Sequence, residues 1–279
     1  MLEDLDDREL TNHVLVITRH QMKPEDSRQL NRLQNIKPTL LFTYSGIDNN
    51  QIEPYPSHVA ADSLKLMSAY MPRRYRTILC WRPLIPGLND SDEHLDRVYE
   101  IAQHTDAMVF TGLFYRDPIV DYYKANGLPE PYEDTARRKI VPEALEQRVL
   151  ATFAGSTLFR KTSCAVSYAH GLPDYNGHVG IRELCDICPL SQLDLCKSAH
   201  RVPTADQLHE VASVLPEARG LKVVDITERA AIVSGLSEEQ PRYYLQHALG
   251  FQVHDERHPH HDRRHGRADI GWKETPQDD

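Results

Sequence analysis

The sequence predicts an α/β fold, and three observations predict it. Short runs rich in β-branched and other apolar residues recur through the first part of the chain, at 13–18 (HVLVIT), 39–43 (TLLFT), 76–81 (RTILCW) and 107–110 (AMVF). Between them lie stretches whose apolar residues recur at helical spacing. The strand runs are continuous rather than alternating, the pattern of strands buried on both faces of a parallel sheet.

Taken in order, each element follows from its residues. The run 13–18 is a buried strand. Residues 24–36 open on Pro24 and carry Leu30 and Leu33 on one side of a helix. After the strand 39–43, the helix 57–70 turns Ala60, Leu64, Leu66 and Met67 inward. The strand 76–81 leads to the helix 90–104, with Leu95, Val98, Ile101 and Ala102 facing the core. The strand 107–110 completes a series of βαβ units with right-handed crossovers. From 117 to 139 the chain is polar and dotted with Pro118, Pro129 and Pro131, a connecting segment or lid. A helix follows over 141–153. Beyond a break at Pro203, the pattern predicts a helix over 205–215, a strand over 222–226, and helices over 227–234 and 238–249. Three regions result: 1–117, 118–202 and 203–279.

The bulk composition restricts function. With 279 residues and 40% hydrophobic content, the chain has room for one large domain or two modest ones. Its formal charge of −9 is wrong for coating nucleic acid, although Arg257 to Arg267 is locally rich in Arg and His. No apolar run approaches the roughly 20 residues of a membrane span. Glu3, Asp4, Asp6 and Asp7 follow Met1, which is wrong for a signal peptide, so a cytoplasmic protein without membrane partners is expected. Five cysteines in such a chain point to metal or catalysis rather than a disulfide scaffold.

Cys164, Cys185, Cys188 and Cys196 are the candidate metal ligands. The last three read C-D-I-C-P-L-S-Q-L-D-L-C. A C-x2-C pair brings two thiolates to one centre from a tight turn, and a third cysteine closes from the next turn or helix. This set suits a [4Fe–4S] cluster or tetrahedral zinc. Pro189 directly after Cys188 leans toward the cluster. His170 and His200 flank the set as substitutes for Cys164. The loop 168–177 (YAHGLPDYNG) reads as a connector or as a substrate contact.

Ligands of parallel α/β folds bind at the carboxyl ends of the strands. Here those loops read T-Y-S-G-I (43–47) with I-E-P (52–54), R-P-L-I-P-G-L-N-D (82–90) and T-G-L-F-Y-R-D (111–117). Over residues 11–117 this ordered set resembles the later strands of radical S-adenosylmethionine enzymes, particularly relatives of spore photoproduct lyase. The resemblance implies part of a (β/α)6 barrel. It also implies contacts to S-adenosylmethionine from Thr43, Ser45, Glu53, Arg82, Asn89, Gly112 and Phe114. An auxiliary cluster C-terminal to the barrel would fall to the four cysteines. The intact enzyme is expected to form a 5′-deoxyadenosyl radical that abstracts hydrogen from its substrate. The sequence contains no C-x3-C-x2-C loop, and Cys80, inside a strand, is a small buried hydrophobe. The expectation is therefore the C-terminal part of an enzyme whose N-terminal half-barrel comes from a missing segment or a separate chain. The residues leave its substrate open among small molecules, peptides and nucleic acids.

In the last region, Ala230 to Gln240 has a small residue, a glycine turn at Gly235 and a Ser237/Gln240 capping box. This resembles a helix-turn-helix in a small, α-rich, winged-helix-like domain. Its second helix carries Arg242, Tyr243, Tyr244 and Gln246, with the basic stretch behind it as a phosphate-contacting arm. His258, His260, His261 and His265 are further metal candidates, and Ile270 and Trp272 want burial. The alternative function is a non-catalytic regulator, stabilised by zinc or a cluster, that binds nucleic acid.

Overall fold

A computed structural model of the chain describes residues 1–132, 141–236, 239–257, 264–265 and 268–269. It is a mixed α/β structure that divides into two compact units, Met1–His170 and Gly171–Asp279. Among the described residues no helix is long and apolar enough to cross a membrane.

The first unit is built on a parallel sheet. Its strands are β1 (His13–Thr18), β2 (Lys37–Tyr44), β3 (Arg76–Leu84), β4 (Ala107–Gly112) and β5 (Leu158–Phe159). Spatial order equals chain order, and every neighbouring pair is parallel. The helices α1 (Leu2–Asp7), α2 (Pro24–Leu30), α3 (Ser57–Ser68), α4 (Asp92–Ala102), α5 (Asp117–Ala125), α6 (Glu143–Thr152) and α7 (Thr162–Ala169) accompany it.

Local chemistry sets the boundaries. Ser91 caps α4 by accepting the His94 N–H. The Asp6 carboxylate of α1 accepts the N–H groups of Gln34, Asn35 and Ile36, which fixes the chain entering β2. Tyr75, fully buried, donates to the Met67 carbonyl at the end of α3, at 2.7 Å.

The two faces of the sheet are covered differently. On one face, Thr77 of β3 meets Ser68 of α3 at 3.0 Å, and Trp81 packs near Phe153 behind α6. On the other face α7 lies across β3, β4 and β5. There Phe159 stacks near Tyr168, and His170 reaches the Thr39 hydroxyl of β2 at 2.7 Å. Side chains alternate along a strand, so Thr39 and Thr77 serve opposite faces in this register.

Several expectations need correction here. β1 is an edge strand rather than a buried one, and its Ile17 is 63% exposed. The segment after residue 117 opens with the helix α5, because Pro118 fits the first helical turn. Residues 133–140 of that segment lie outside the described residues.

The second unit holds α8 (Arg182–Cys185), α9 (Leu190–Ala199), α10 (Ala205–Ala212) and a short 3-10 turn, Pro216–Ala218. Then come β6 (Lys222–Ile226), β7 (Ala230–Ser234), α11 (Glu239–Leu249) and β8 (Gln252–Asp255). β6 and β7 are antiparallel, whereas β7 and β8 are parallel through α11. Val233, Leu236, Leu245, Phe251 and Val253 form the core, with Leu208 of α10. Two-residue strands β9 (Arg264–His265) and β10 (Ala268–Asp269) pair antiparallel.

The helix expected over 227–234 is therefore the strand β7. Its Ala-Ala-Ile-Val run is buried between two neighbours, and that central position outweighs the helix preference of the alanines. Because the first helix is a strand, 227–249 is not a helix-turn-helix. Ser237 of the expected capping box lies outside the described residues, as do Arg267, Ile270 and Trp272.

Candidate metal centre

Three of the four candidate cysteines gather in the second unit. The turn of C-x2-C is closed by the Cys188 N–H donating to the Cys185 carbonyl at 3.1 Å. Pro189 then starts α9, which carries Cys196. The Cys196 sulfur accepts two N–H groups. The Asp174 main chain donates at 3.3 Å and the Gln192 carboxamide at 3.4 Å. Gln192 sits one helical turn before Cys196 and also holds the Leu172 carbonyl at 2.8 Å. The Cys185 thiol points at the His178 carbonyl, 3.8 Å away.

Asp174 and His178 adjoin these cysteines through their main chains. They are 7% and 4% exposed. One oxygen, Asp174 Oδ2, is 2.9 Å from the His178 main-chain nitrogen and 2.9 Å from its Nδ1. Between them Gly177 turns with φ +70°, and a Cβ there would meet the Gly250 carbonyl oxygen at 2.6 Å. Only glycine admits so close a backbone approach. Asn176 ties the loop to the sheet side of the unit, accepting from Gln246 at 3.0 Å and from Gln252.

The electrostatics show that the sulfurs share one environment. Burial pushes the Cys188 thiol up to about 12, and the neighbouring Cys185, Cys196 and Asp174 add to the shift. Cys185 is raised first by burial, then by Cys196, Asp174 and Asp186. Cys196 is raised by burial, against the lowering by its two N–H donors. Anionic sulfur is disfavoured in each case without a cation. Three thiols, with a carboxylate and an imidazole whose main-chain atoms touch two of them, are donor types that thiolate-held metals use, and N–H groups aimed at sulfur are what such centres use to tune it. The residues fit a zinc ion or an iron–sulfur cluster.

Cys164 sits on α7, in the first unit. The two histidines considered as substitutes are engaged elsewhere. His170 bonds Thr39 and meets the His13 ring edge-on at 4.5 Å. His200 stacks on Phe251 and lies 3.2 Å from the Glu228 carbonyl. Asp174, His178 and Gln192 were not expected. The D-x3-H spacing was the one available signal, and it lies in what reads as a glycine-rich connector.

The candidate cofactor contacts lie at or just beyond the carboxyl ends of β2, β3 and β4, with Thr43, Arg82 and Gly112 in the last residues of the strands and Ser45, Glu53, Asn89 and Phe114 in the loops after them. Thr43 faces Cys80 in register, and Gly112 faces Leu84. Asn89 is fully buried and donates from Nδ2 to the carbonyls of Ser45 at 2.5 Å and Pro83 at 2.8 Å. Its Oδ1 accepts the Ile85 N–H at 2.8 Å. Ser45 Oγ is 3.0 Å from Ser57 Oγ, and Glu53 pairs with Arg19, just beyond β1. Arg82 is exposed, and the Arg116 guanidinium lies 5.3 Å from the centre of the half-exposed Phe114 ring. Ser45, Glu53 and Asn89 thus bind the rim loops to one another. Of the candidate histidines in the tail, His258, His260 and His261 lie outside the described residues, and only the backbone of His265 is described.

No protein-family model matches this chain, and no curated protein matches it either.

Proposed function

We propose that this chain is an iron–sulfur protein whose second unit binds a thiolate-held centre through Cys185, Cys188 and Cys196. Cys164 is the sequence's candidate for a fourth sulfur. The observation that carries the proposal is the convergence on Cys196 Sγ of N–H groups from Asp174 and Gln192, beside two further thiols that its charge would disfavour. N–H donors of this kind bond weakly to a protonated sulfur and strongly to a metal-bound thiolate.

The wider role we propose is that of a radical S-adenosylmethionine enzyme, as the C-terminal part of its barrel followed by an auxiliary cluster. The unbroken spatial order of parallel strands supports this, since a barrel advances strand by strand in one direction. The placement of Thr43, Ser45, Glu53, Arg82, Asn89, Gly112 and Phe114 along the carboxyl rim supports it too. S-adenosylmethionine, when bound, supplies the radical chemistry. The protein's part is to order the rim loops, as Asn89 does between the loops after β2 and β3. The cysteines that hold the cofactor's own cluster belong, in this proposal, to another chain or segment.

Anaerobic loading of the purified chain with iron and sulfide tests the proposal. The expected result is a brown protein with about four irons per chain, lost in Cys185→Ser, Cys188→Ser and Cys196→Ser. A colourless chain that takes up zinc and no iron would replace the cluster with a structural zinc site. A chain that takes up neither metal ends the proposal.

A further inference from the structure

We infer that the cleft between α3 and α4 is a further binding site, which holds the oxyanion of a small phosphate or carboxylate between Tyr44, Arg97 and the first turn of α3. The site lies wholly within the first unit and uses no metal, so it stands or falls apart from the reading above.

The cleft encloses about 290 Å³, at the small end of ligand pockets, which suits a compact ligand rather than a nucleotide. Tyr44, at the end of β2, lines it together with Ile47, Ala61 and Ile101, all buried. Side chains alternate along β2, so Tyr44 serves the opposite face of the sheet from Thr43, one of the candidate cofactor contacts.

Three features point to an anion. The first is the Tyr44 hydroxyl. Its side chain is 2% exposed, and burial pushes its pKa up, against the pull of the Arg97 guanidinium hydrogen-bonded to it. The hydroxyl therefore keeps its proton and accepts from Arg97, and among the described residues no acceptor takes that proton. The second is Arg97 itself. Its carboxylate partners are Glu93 at 2.9 Å and Asp48 at 3.8 Å, whose side chains are 81% and 79% exposed. Exposed pairs of this kind are weak, so the guanidinium fork can turn to a ligand.

The third is the start of α3. Pro56 precedes it, no side chain caps it and its first turn carries no acidic residue. Its leading N–H groups are thus open to an anion. The Ser57 hydroxyl accepts the Gly46 N–H at 2.9 Å, and a Cβ on Gly46 would lie 3.3 Å from Tyr44 Oη. Gly46 therefore brings the phenol and the start of α3 together. Lys65, two turns along α3, lines the same cleft and has no ion pair among the described residues. Of the carboxylates there, buried Glu53 is neutralised by Arg19, and Asp48 and Glu100 are exposed to solvent.

Titration of the full chain with inorganic phosphate and with acetate is the test, each against chloride at equal ionic strength and read by amide and arginine Nε–H resonances. Saturable shifts at Ser57, His58 and Arg97 with either anion, absent with chloride, are expected, and the anion that saturates identifies the oxyanion. Arg97→Gln should weaken binding on the order of tenfold or more, and Tyr44→Phe, which keeps the ring and its packing, about threefold to tenfold. Asp48→Asn should strengthen it about twofold by releasing Arg97, an effect that a merely structural Arg97 would not produce. The inference is overturned if neither anion saturates, if Arg97→Gln and Tyr44→Phe both bind as the wild type does, or if the shifts fall only in the basic stretch 257–267. Native far-ultraviolet dichroism of each variant separates a lost ligand contact from a lost fold.

Discussion

The main-chain N–H of Asp174 donates to the sulfur of Cys196 at 3.3 Å, across 22 residues of chain. A sulfur that accepts backbone and side-chain N–H groups is prepared for negative charge. Yet every thiol of the trio is pushed toward its neutral form by burial. A bound metal cation, as proposed, would resolve that opposition. Removing the metal with a chelator is expected to lower the thermal midpoint of the second unit, and restoring iron and sulfide, or zinc, should raise it again. Calorimetry at fixed free-metal concentration checks this.

Gly177 sets the loop that presents Asp174 and His178. With φ at +70°, a methyl group there would collide with the Gly250 carbonyl and with Phe251 Cα, each 2.6 Å away. Gly177→Ala should cost about 2–4 kcal/mol and reduce metal uptake. Urea unfolding followed by metal analysis reads both.

Asn89 is a fully buried clamp between two loops. Asn89→Ala leaves the Ser45 and Pro83 carbonyls and the Ile85 N–H without their partner. The expected loss is about 2–3 kcal/mol in urea unfolding. Asn89→Asp should be worse still, because it replaces two donated hydrogen bonds with a buried charge facing carbonyl oxygens.

His170 should make the first unit sensitive to mild acid. Burial, then the nearby His13 and Arg76, lower it from the ordinary 6.5 to about 4. The folded state holds the ring neutral down to about 4, whereas the unfolded chain takes up its proton near 6.5. The unfolded state therefore binds more protons within that window, and stability falls as pH falls through it. The loss attributable to His170 is on the order of 1–2 kcal/mol once its partial exposure is discounted. His170→Asn should flatten the pH dependence, as measured by urea unfolding at pH 7 and about pH 4.5.

Much of the first unit was legible because its strands are uninterrupted apolar runs and its helices have a clear apolar side, as in α4 with Leu95, Val98 and Ile101. β5 escaped notice because it is two residues long. α7 did so because Thr-Ser-Cys-Ala-Val-Ser-Tyr-Ala is small and mixed, without a polar side. β7 was misread because alanine favours helices while the three-stranded sheet decides otherwise. At the candidate metal site, the sequence announced the cysteines through their spacing. It concealed Asp174 and His178, whose relation depends on a glycine turn and on burial that no local pattern records.

The path of α7 across β3 to β5, ending with His170 on Thr39, has a topographic consequence. Aliphatic and aromatic surface that a hollow cylinder would leave open to its interior is roofed over by the protein's own polypeptide. If the proposed cofactor binds, the room left for its nucleoside is where the strands end, among the turns that Asn89 laces together, rather than between the slats of the sheet.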